Sequence, residues 1–179
     1  SEWELGGYGT RNNIISTPVI VGDTVYVGMG QDPEHGTGIG HLYAIDATGS
    51  GDVTVSHVRW HVGGTEFGRT MSTPAIADGL MYICDLGGFL YCLDAKEGTR
   101  YWRHDMKAAV WGSPMLVDGH VYVGDEDGDV LVVKHGRKLD IVDELPMGAT
   151  VYTTPTAANG VLYVATKSKL YALAEAKSK

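Results

Sequence analysis

The densest group of chemistry-bearing side chains lies in one glycine-rich stretch, MGQDPEHGTGIGH, residues 29–41. It carries Asp32, Glu34, His35 and His41 within ten positions. Imidazole and carboxylate donors together suit a divalent cation, and the glycines would let the backbone wrap around it. The same polar side chains can also order a loop by capping its own amides. The spacing matches no metal motif. A second acidic stretch, GDEDGDV, holds Asp125, Glu126, Asp127 and Asp129. It lacks the length and the distal Glu of an EF-hand loop, so a hairpin turn at Asp127-Gly128 is the better reading. Asp125, at the strand end, remains a candidate for a binding face.

Two arginines occupy matching places. Arg11 and Arg69 precede Pro18 and Pro74 by seven and five residues. With Glu66 close enough to pair with Arg69, they form either an anion clamp or a structural ion pair. Trp111 and Tyr152 each lie three residues before a proline, Pro114 and Pro155, and offer a stacking surface or packing between repeats. No Gly-x-Ser-x-Gly, HExxH or phosphate loop is present, and no nucleophile–base pair can be assembled from the spacing. These absences point away from catalysis.

What must position these residues is a repeat. STPVIVGDTVYVG, STPAIADGLMYIC, GSPMLVDGHVYVG and TTPTAANGVLYVA align without a gap. Their prolines, Pro18, Pro74, Pro114 and Pro155, stand 56, 40 and 41 residues apart. A period near 40 with several short strands per unit predicts a β-propeller. In each unit a short strand follows the Ser/Thr-Pro. A tight turn comes next, at Gly22-Asp23, Asp78-Gly79, Asp118-Gly119 or Asn159-Gly160. A second strand alternates Tyr and Val at period two, and a third reads HLYAIDA, FLYCLDA, DVLVVKH or KLYALAE. The fourth carries Trp60 or Trp102 in two units, and IVDELPMG takes that place in the third. The last unit stops after its third strand, while SEWELGG at residues 1–7 matches RWHVGG, with Trp3 in the place of Trp60. The expected fold is therefore all-β: a propeller of four-stranded antiparallel blades over 1–174, with a tail at 175–179. The N-terminal strand would complete the last blade, in a four-bladed ring or as half of an eight-bladed dimeric ring.

Composition narrows the partners. The 179 residues have 44% hydrophobic content and a formal net charge of −8. An acidic surface opposes phosphate backbones, so nucleic acid is not expected. No run of 18 apolar residues suggests a membrane span. No signal peptide is evident, and Ser1 reads as a processed or truncated start. Cys84 and Cys92 form no disulfide framework and read as small buried thiols. A two-residue turn at Gly87-Gly88 would put Cys84 opposite Tyr91, whereas a three-residue turn would put the cysteines opposite each other.

Meander topology sorts the loops. Those between strands two and three, and those crossing to the next blade, must share one end, the entry face. It collects Arg11, Asn12, Asn13, Asp32, Glu34, His35, His41, Glu66, Arg69, Trp111, Asp125, Asp127 and Tyr152. Arg11, Asn12, Asn13, Glu66, Arg69, Trp111, Asp125 and Tyr152 are the expected ligand-binding residues. Asp32, Glu34, His35 and His41 are the candidate metal set.

The Ser/Thr-Pro, VYVG, LYALDA-like and Trp-bearing strands resemble PQQ-like propeller repeats. Such repeats occur in quinoprotein dehydrogenases and in the propeller lipoprotein of outer-membrane β-barrel assembly. The runs GQDPEHGTGIGH, FGRTMSTPAIADG and AVWGSPMLVDGHVYVGDEDGDV also resemble large bacterial PQQ-like propeller proteins known mainly from planctomycetes. The resemblance implies a periplasmic or secreted protein and allows PQQ with Ca²⁺ as cofactor. The family's adjacent-cysteine disulfide has no match, because Cys84 and Cys92 are not adjacent, and no motif matches its cation-binding set. The expectation is therefore a non-catalytic scaffold without a cofactor, binding a protein, peptide or glycan and pairing as a homodimer. A quinoprotein oxidoreductase, or a fragment of one, and a purely structural propeller half are the alternatives.

Overall fold

The computed structural model describes residues 12–31 and 38–174. These form strands grouped into four antiparallel sheets. Blade 1 comprises β1 (Asn12–Asn13), β2 (Val19–Val21), β3 (Thr24–Gln31), β4 (Ile39–Asp46) and β5 (Val58–Gly68). Blade 2 comprises β6 (Ala75–Ala77), β7 (Leu80–Cys84), β8 (Phe89–Asp94) and β9 (Arg100–Asp105). Blade 3 follows with β10 (Met115–Val117), β11 (His120–Gly124), β12 (Asp129–Lys134) and β13 (Ile141–Pro146). Blade 4 has β14 (Thr156–Ala158), β15 (Val161–Ala165) and β16 (Leu170–Ala174). The all-β propeller expectation is met. The proposed closing strand around Trp3 lies outside the described residues, as do Arg11, Asp32, Glu34 and His35.

The hairpin turns obey their sequences. Val21↔Thr24, Ala77↔Leu80, Val117↔His120 and Ala158↔Val161 flank two-residue connections. Both residues of Asp78-Gly79, Asp118-Gly119 and Asn159-Gly160 have positive φ. Asx-Gly tolerates that left-handed pair, whose twist matches that of the strands.

Blades 2 and 3 pack on both faces, so their alternation separates two neighbours rather than core from water. Tyr82, Cys84, Leu90, Cys92 and Trp102 of blade 2 pack against Val121, Val123, Leu131 and Val133 of blade 3. The other face of blade 2, with Met81, Ile83, Tyr91 and Leu93, meets Tyr26, Leu42, Ala44 and Phe67 of blade 1. Val130, Met147, Val151 and Val164 join blades 3 and 4. Among the described residues there are these three interfaces and no cluster between blades 4 and 1. The terminal blades leave Ile20 67% and Leu170 70% exposed.

Hydrogen bonds repeat with the period. The Thr17 amide donates to Thr73 Oγ1 at 3.0 Å, the Thr73 amide to Ser113 Oγ at 2.9 Å, and the Ser113 amide to Thr154 Oγ1 at 2.9 Å. These residues precede the four prolines, which explains why Ser or Thr recurs there. Farther out, Trp60 Nε1 and Tyr26 Oη both donate to the Ala95 carbonyl of the next blade, at 3.0 Å each. Trp102 Nε1 donates to the Gly136 carbonyl at 3.1 Å, and the Gly136 amide donates to Tyr82 Oη at 2.8 Å. Both tryptophans therefore bind their blade to the following one.

Two details differ from the sequence reading. The β7–β8 connection spans four residues, giving Cys84↔Leu90 and Tyr82↔Cys92, so neither expected cysteine alignment occurs. The cause is Asp85, whose Oδ1 accepts from the Phe89 amide at 3.0 Å while its carbonyl accepts from Gly88. One residue of shift swaps every side chain between faces. Both thiols therefore lie on the face toward blade 3, buried and unbonded. Blade 1 is also taller than its neighbours. β5 has eleven residues against six in β9, so GGTEFG extends the sheet instead of forming a free crossing loop.

Candidate functional site

The entry face is built by a recurring contact between each blade crossing and the loop that follows β7, β11 or β15. The Leu86 amide donates to Arg69 O, Glu126 to Ala109 O, and Lys167 to Thr150 O, at 2.8, 2.9 and 2.9 Å. Crossings and loops are thereby locked at one end of the blades. Gly112 sits against the backbone of Thr153, where a Cβ would approach to 2.9 Å. That close approach brings the residue before each, Trp111 and Tyr152, together.

Their rings meet edge to face, with centroids 5.9 Å apart at 87°. Glu126 lies between their polar ends. Trp111 Nε1 donates to its Oε2 at 3.5 Å and Tyr152 Oη to its Oε1 at 3.3 Å. Trp111 is 38% exposed and Tyr152 44%. Sequence reasoning missed Glu126 as a site residue, because its approach to two aromatics 15 and 26 residues away depends on two blade crossings. The repeat offered one signal: Ile15, Met71, Trp111 and Tyr152 all stand three residues before their prolines. They give four equivalent positions a large apolar side chain.

The other expected face residues separate. Asn12 and Asn13 form the short strand β1 against Gln31 and Gly30. Arg69 is buried, 2% exposed, with its Cα, Cβ and Cγ against Gly30, where any side chain would collide. Its Nη2 lies 3.9 Å from Met71 Sδ. Glu66 is exposed, and among the ion pairs between described residues none joins it to Arg69. Three residues along an extended chain reverse the face, so Phe67 and Arg69 turn inward and Glu66 outward. Glu66 lines a cavity of about 260 Å³ with Phe67, Tyr91 and Arg100. Asp125 is buried beneath the face, not on it. Its Oδ1 accepts from the Gly128 and Asp129 amides at 3.0 Å each, and burial raises its pKa above the ordinary carboxylate value. It does for its turn what Asp85 does one blade earlier.

On the outer part of blade 1, His41 meets His61 rather than a carboxylate, with Nδ1 and Nε2 2.9 Å apart. Among the described residues no three His, Cys, Asp or Glu side chains converge as a cation's ligand set. No described helix is long and apolar enough to cross a membrane. The innermost strands flank an open cavity of about 500 Å³ lined by residues 73–77, 113–116 and Thr154.

Residues 38–179 match the family model described as outer membrane protein assembly factor BamB. The chain belongs to this family of PQQ-like propeller repeats. Among solved structures, BamB from Moraxella catarrhalis superposes with a TM-score of 0.66 at 19% identity, covering 87% of this chain and 41% of that one. Quinohemoprotein alcohol dehydrogenase from Comamonas testosteroni gives a TM-score of 0.66 at 18% identity, covering 88% of this chain and 29% of that one. At these identities the likeness is one of fold. In sequence, the chain is 41% identical over 56 residues to the serine/threonine-protein kinase AfsK of Streptomyces coelicolor. That match covers 31% of this chain and 7% of the kinase. The chain thus spans well under half the length of these relatives.

Proposed function

We propose that this PQQ-like propeller chain is a non-catalytic scaffold that binds a protein, peptide or glycan through its entry face. The observation that carries the reading is the exposed Trp111–Tyr152 pair held by Glu126. Edge-to-face aromatics on rigid blades present contact area at low conformational cost, the usual composition of a binding hot spot. Ile15, 49% exposed at the equivalent position in blade 1, extends the same row. The likeness to an assembly factor supports a protein partner. Family membership supports a periplasmic or secreted location, which fractionation of producing cells tests.

The experiment is a peptide-library and glycan-array screen of the parent beside Trp111→Ala and Tyr152→Ala. Binders found with the parent are expected to lose at least tenfold in affinity with either variant. Equal binding by the variants defeats this reading. The rival reading, a quinoprotein oxidoreductase, draws on the fold shared with the alcohol dehydrogenase. Titration of PQQ with Ca²⁺ separates the two: a bound-cofactor spectrum with dye reduction would favour the enzyme.

Self-association belongs to the same proposal. Exposed Ile20, Val21, Leu170 and Leu173 at the two ends of the blade series suit closure by a second copy into an eight-bladed ring. The expected native mass is twice 19.2 kDa. A monomer at high concentration rejects the dimeric ring. In the purely structural alternative the dimer forms but the screens return no ligand.

A further inference from the structure

His41 on β4 and His61 on β5 share one face of blade 1, the one opposite Leu42 and Ala44. Across the ladder His41 faces Gly63 and Tyr43 faces His61. With no side chain at Gly63, the His41 ring leans diagonally until its Nδ1 lies 2.9 Å from His61 Nε2. The two rings are nearly parallel, 26° apart with centroids 5.1 Å apart. His61 is also stacked on Tyr43 at 4.2 Å and 18°, which fixes its plane.

The glycine has a steric reason. Gly63 is not among the glycines with positive φ, so its backbone suits any residue. A Cβ there would lie 2.5 Å from His41 Nδ1 and 2.8 Å from His61 Nε2. The space a side chain would fill is the space where the two nitrogens meet.

We propose that His41 and His61 form a two-nitrogen chelate for a first-row divalent transition ion, Cu²⁺ before Ni²⁺ or Zn²⁺, with water completing the coordination. At metal–nitrogen distances of about 2.0–2.1 Å, adjacent ligands at right angles stand about 2.9 Å apart, and tetrahedral ones about 3.3 Å. The pair is therefore already at the spacing of two neighbouring positions around Cu²⁺ or Ni²⁺. In the metal-free protein one imidazole must donate an N–H to the lone pair of the other. The ion displaces that hydrogen bond: the donor imidazole passes its proton through solvent to its other ring nitrogen, so both rings ligate as neutral imidazoles, no net proton is released and no other reactant is needed. Burial lowers both histidine pKa values, and for His41 the charge of His61 adds to the effect. Neutral imidazole, the form that ligates, is thus favoured. His61 is exposed, which leaves the ion a path from solvent. The proposal uses described residues alone, and it stands apart from the entry-face reading.

The test is calorimetric titration of the whole chain with CuCl₂, NiCl₂ and ZnCl₂ in a non-chelating buffer, with electron paramagnetic resonance of the Cu²⁺ form. One ion per chain is expected, with two-nitrogen hyperfine structure and Cu²⁺ bound tightest. His41→Gln and His61→Gln, which keep a hydrogen-bonding side chain and so the fold, should each lower Cu²⁺ affinity at least tenfold. His120→Gln, on blade 3, should change nothing. Folding of each variant is checked by circular dichroism. Failure to bind any of the three ions, or a two-nitrogen Cu²⁺ spectrum that survives His61→Gln, overturns the proposal.

Discussion

The amide of Thr73 donates to the hydroxyl of Ser113, the residue at the same place one blade later. Ser113 then donates from its own amide to Thr154. A single side chain thus accepts from one neighbour while its backbone gives to the other. Ser113→Ala removes the acceptor and leaves the partly buried Thr73 amide unanswered. The expected cost is about 1–2 kcal/mol, read as a fall in the urea midpoint at unchanged slope. Ser113→Thr, the residue other blades use, should be nearly neutral. Equal loss in both variants would show that the hydroxyl does not matter.

The tryptophans should differ in weight. Trp102 is buried in the interface between blades 2 and 3, whereas Trp60 is only partly buried beside its cluster. Trp102→Ala should cost about 3–5 kcal/mol and Trp60→Ala clearly less. Trp102→Phe keeps most of the packing but drops the bond to Gly136, so about 1 kcal/mol is expected. Thermal unfolding of the three variants gives the ranking, and a larger loss from Trp60 would contradict it.

Acid should act through Asp46. The Thr48 hydroxyl and then the Thr48 amide donate to its carboxylate at 2.7 and 2.9 Å, and Arg59 lies at 3.1 Å. Together they lower its pKa from 3.8 to about 2. Because the folded value lies below the unfolded one, the stabilisation is complete above 3.8 and is lost as the pH falls through 2. Carbon-detected NMR titration of Asp46 should find its midpoint near the lower value, and Asp46→Asn should remove that part of the acid slope. A midpoint in the ordinary carboxylate range would mean that the Thr48 bonds do not hold in solution.

The cysteines should be inert while the chain is folded. Burial drives the Cys84 thiol upward and raises Cys92 to about 11. At pH 8 roughly one Cys92 in a thousand would then be thiolate. A disulfide-exchange reagent should therefore leave the native protein unlabelled for many minutes and titrate both thiols in denaturant. Rapid native labelling of either would show that the interface between blades 2 and 3 opens.

Much of this was legible before any coordinates. Turn dipeptides and period-two strands encode themselves within a few residues, and all four first hairpins follow them, three on Asx-Gly and blade 1 on Gly22-Asp23. The cysteine register was not legible, because it turns on Asp85 folding its carboxylate back onto the Phe89 amide. The His41–His61 contact was hidden for a related reason. It needs the β4–β5 register, and that register shifts at two places. Glu126 lay in an acidic turn whose sequence says nothing of aromatics two crossings away. Local signals survive in a linear reading, and contacts set by an irregularity or by a neighbouring blade do not.

The hydroxyl series has a consequence for descent. Donor and acceptor travel in the same forty or so codons, as do the crossing contacts of Leu86, Glu126 and Lys167. A duplication or deletion of one unit therefore adds or removes one whole interface and leaves its neighbours chemically matched. Nothing in such contacts counts blades. The number of blades is then free to drift by unequal recombination, limited only by the angle at which successive sheets come to rest.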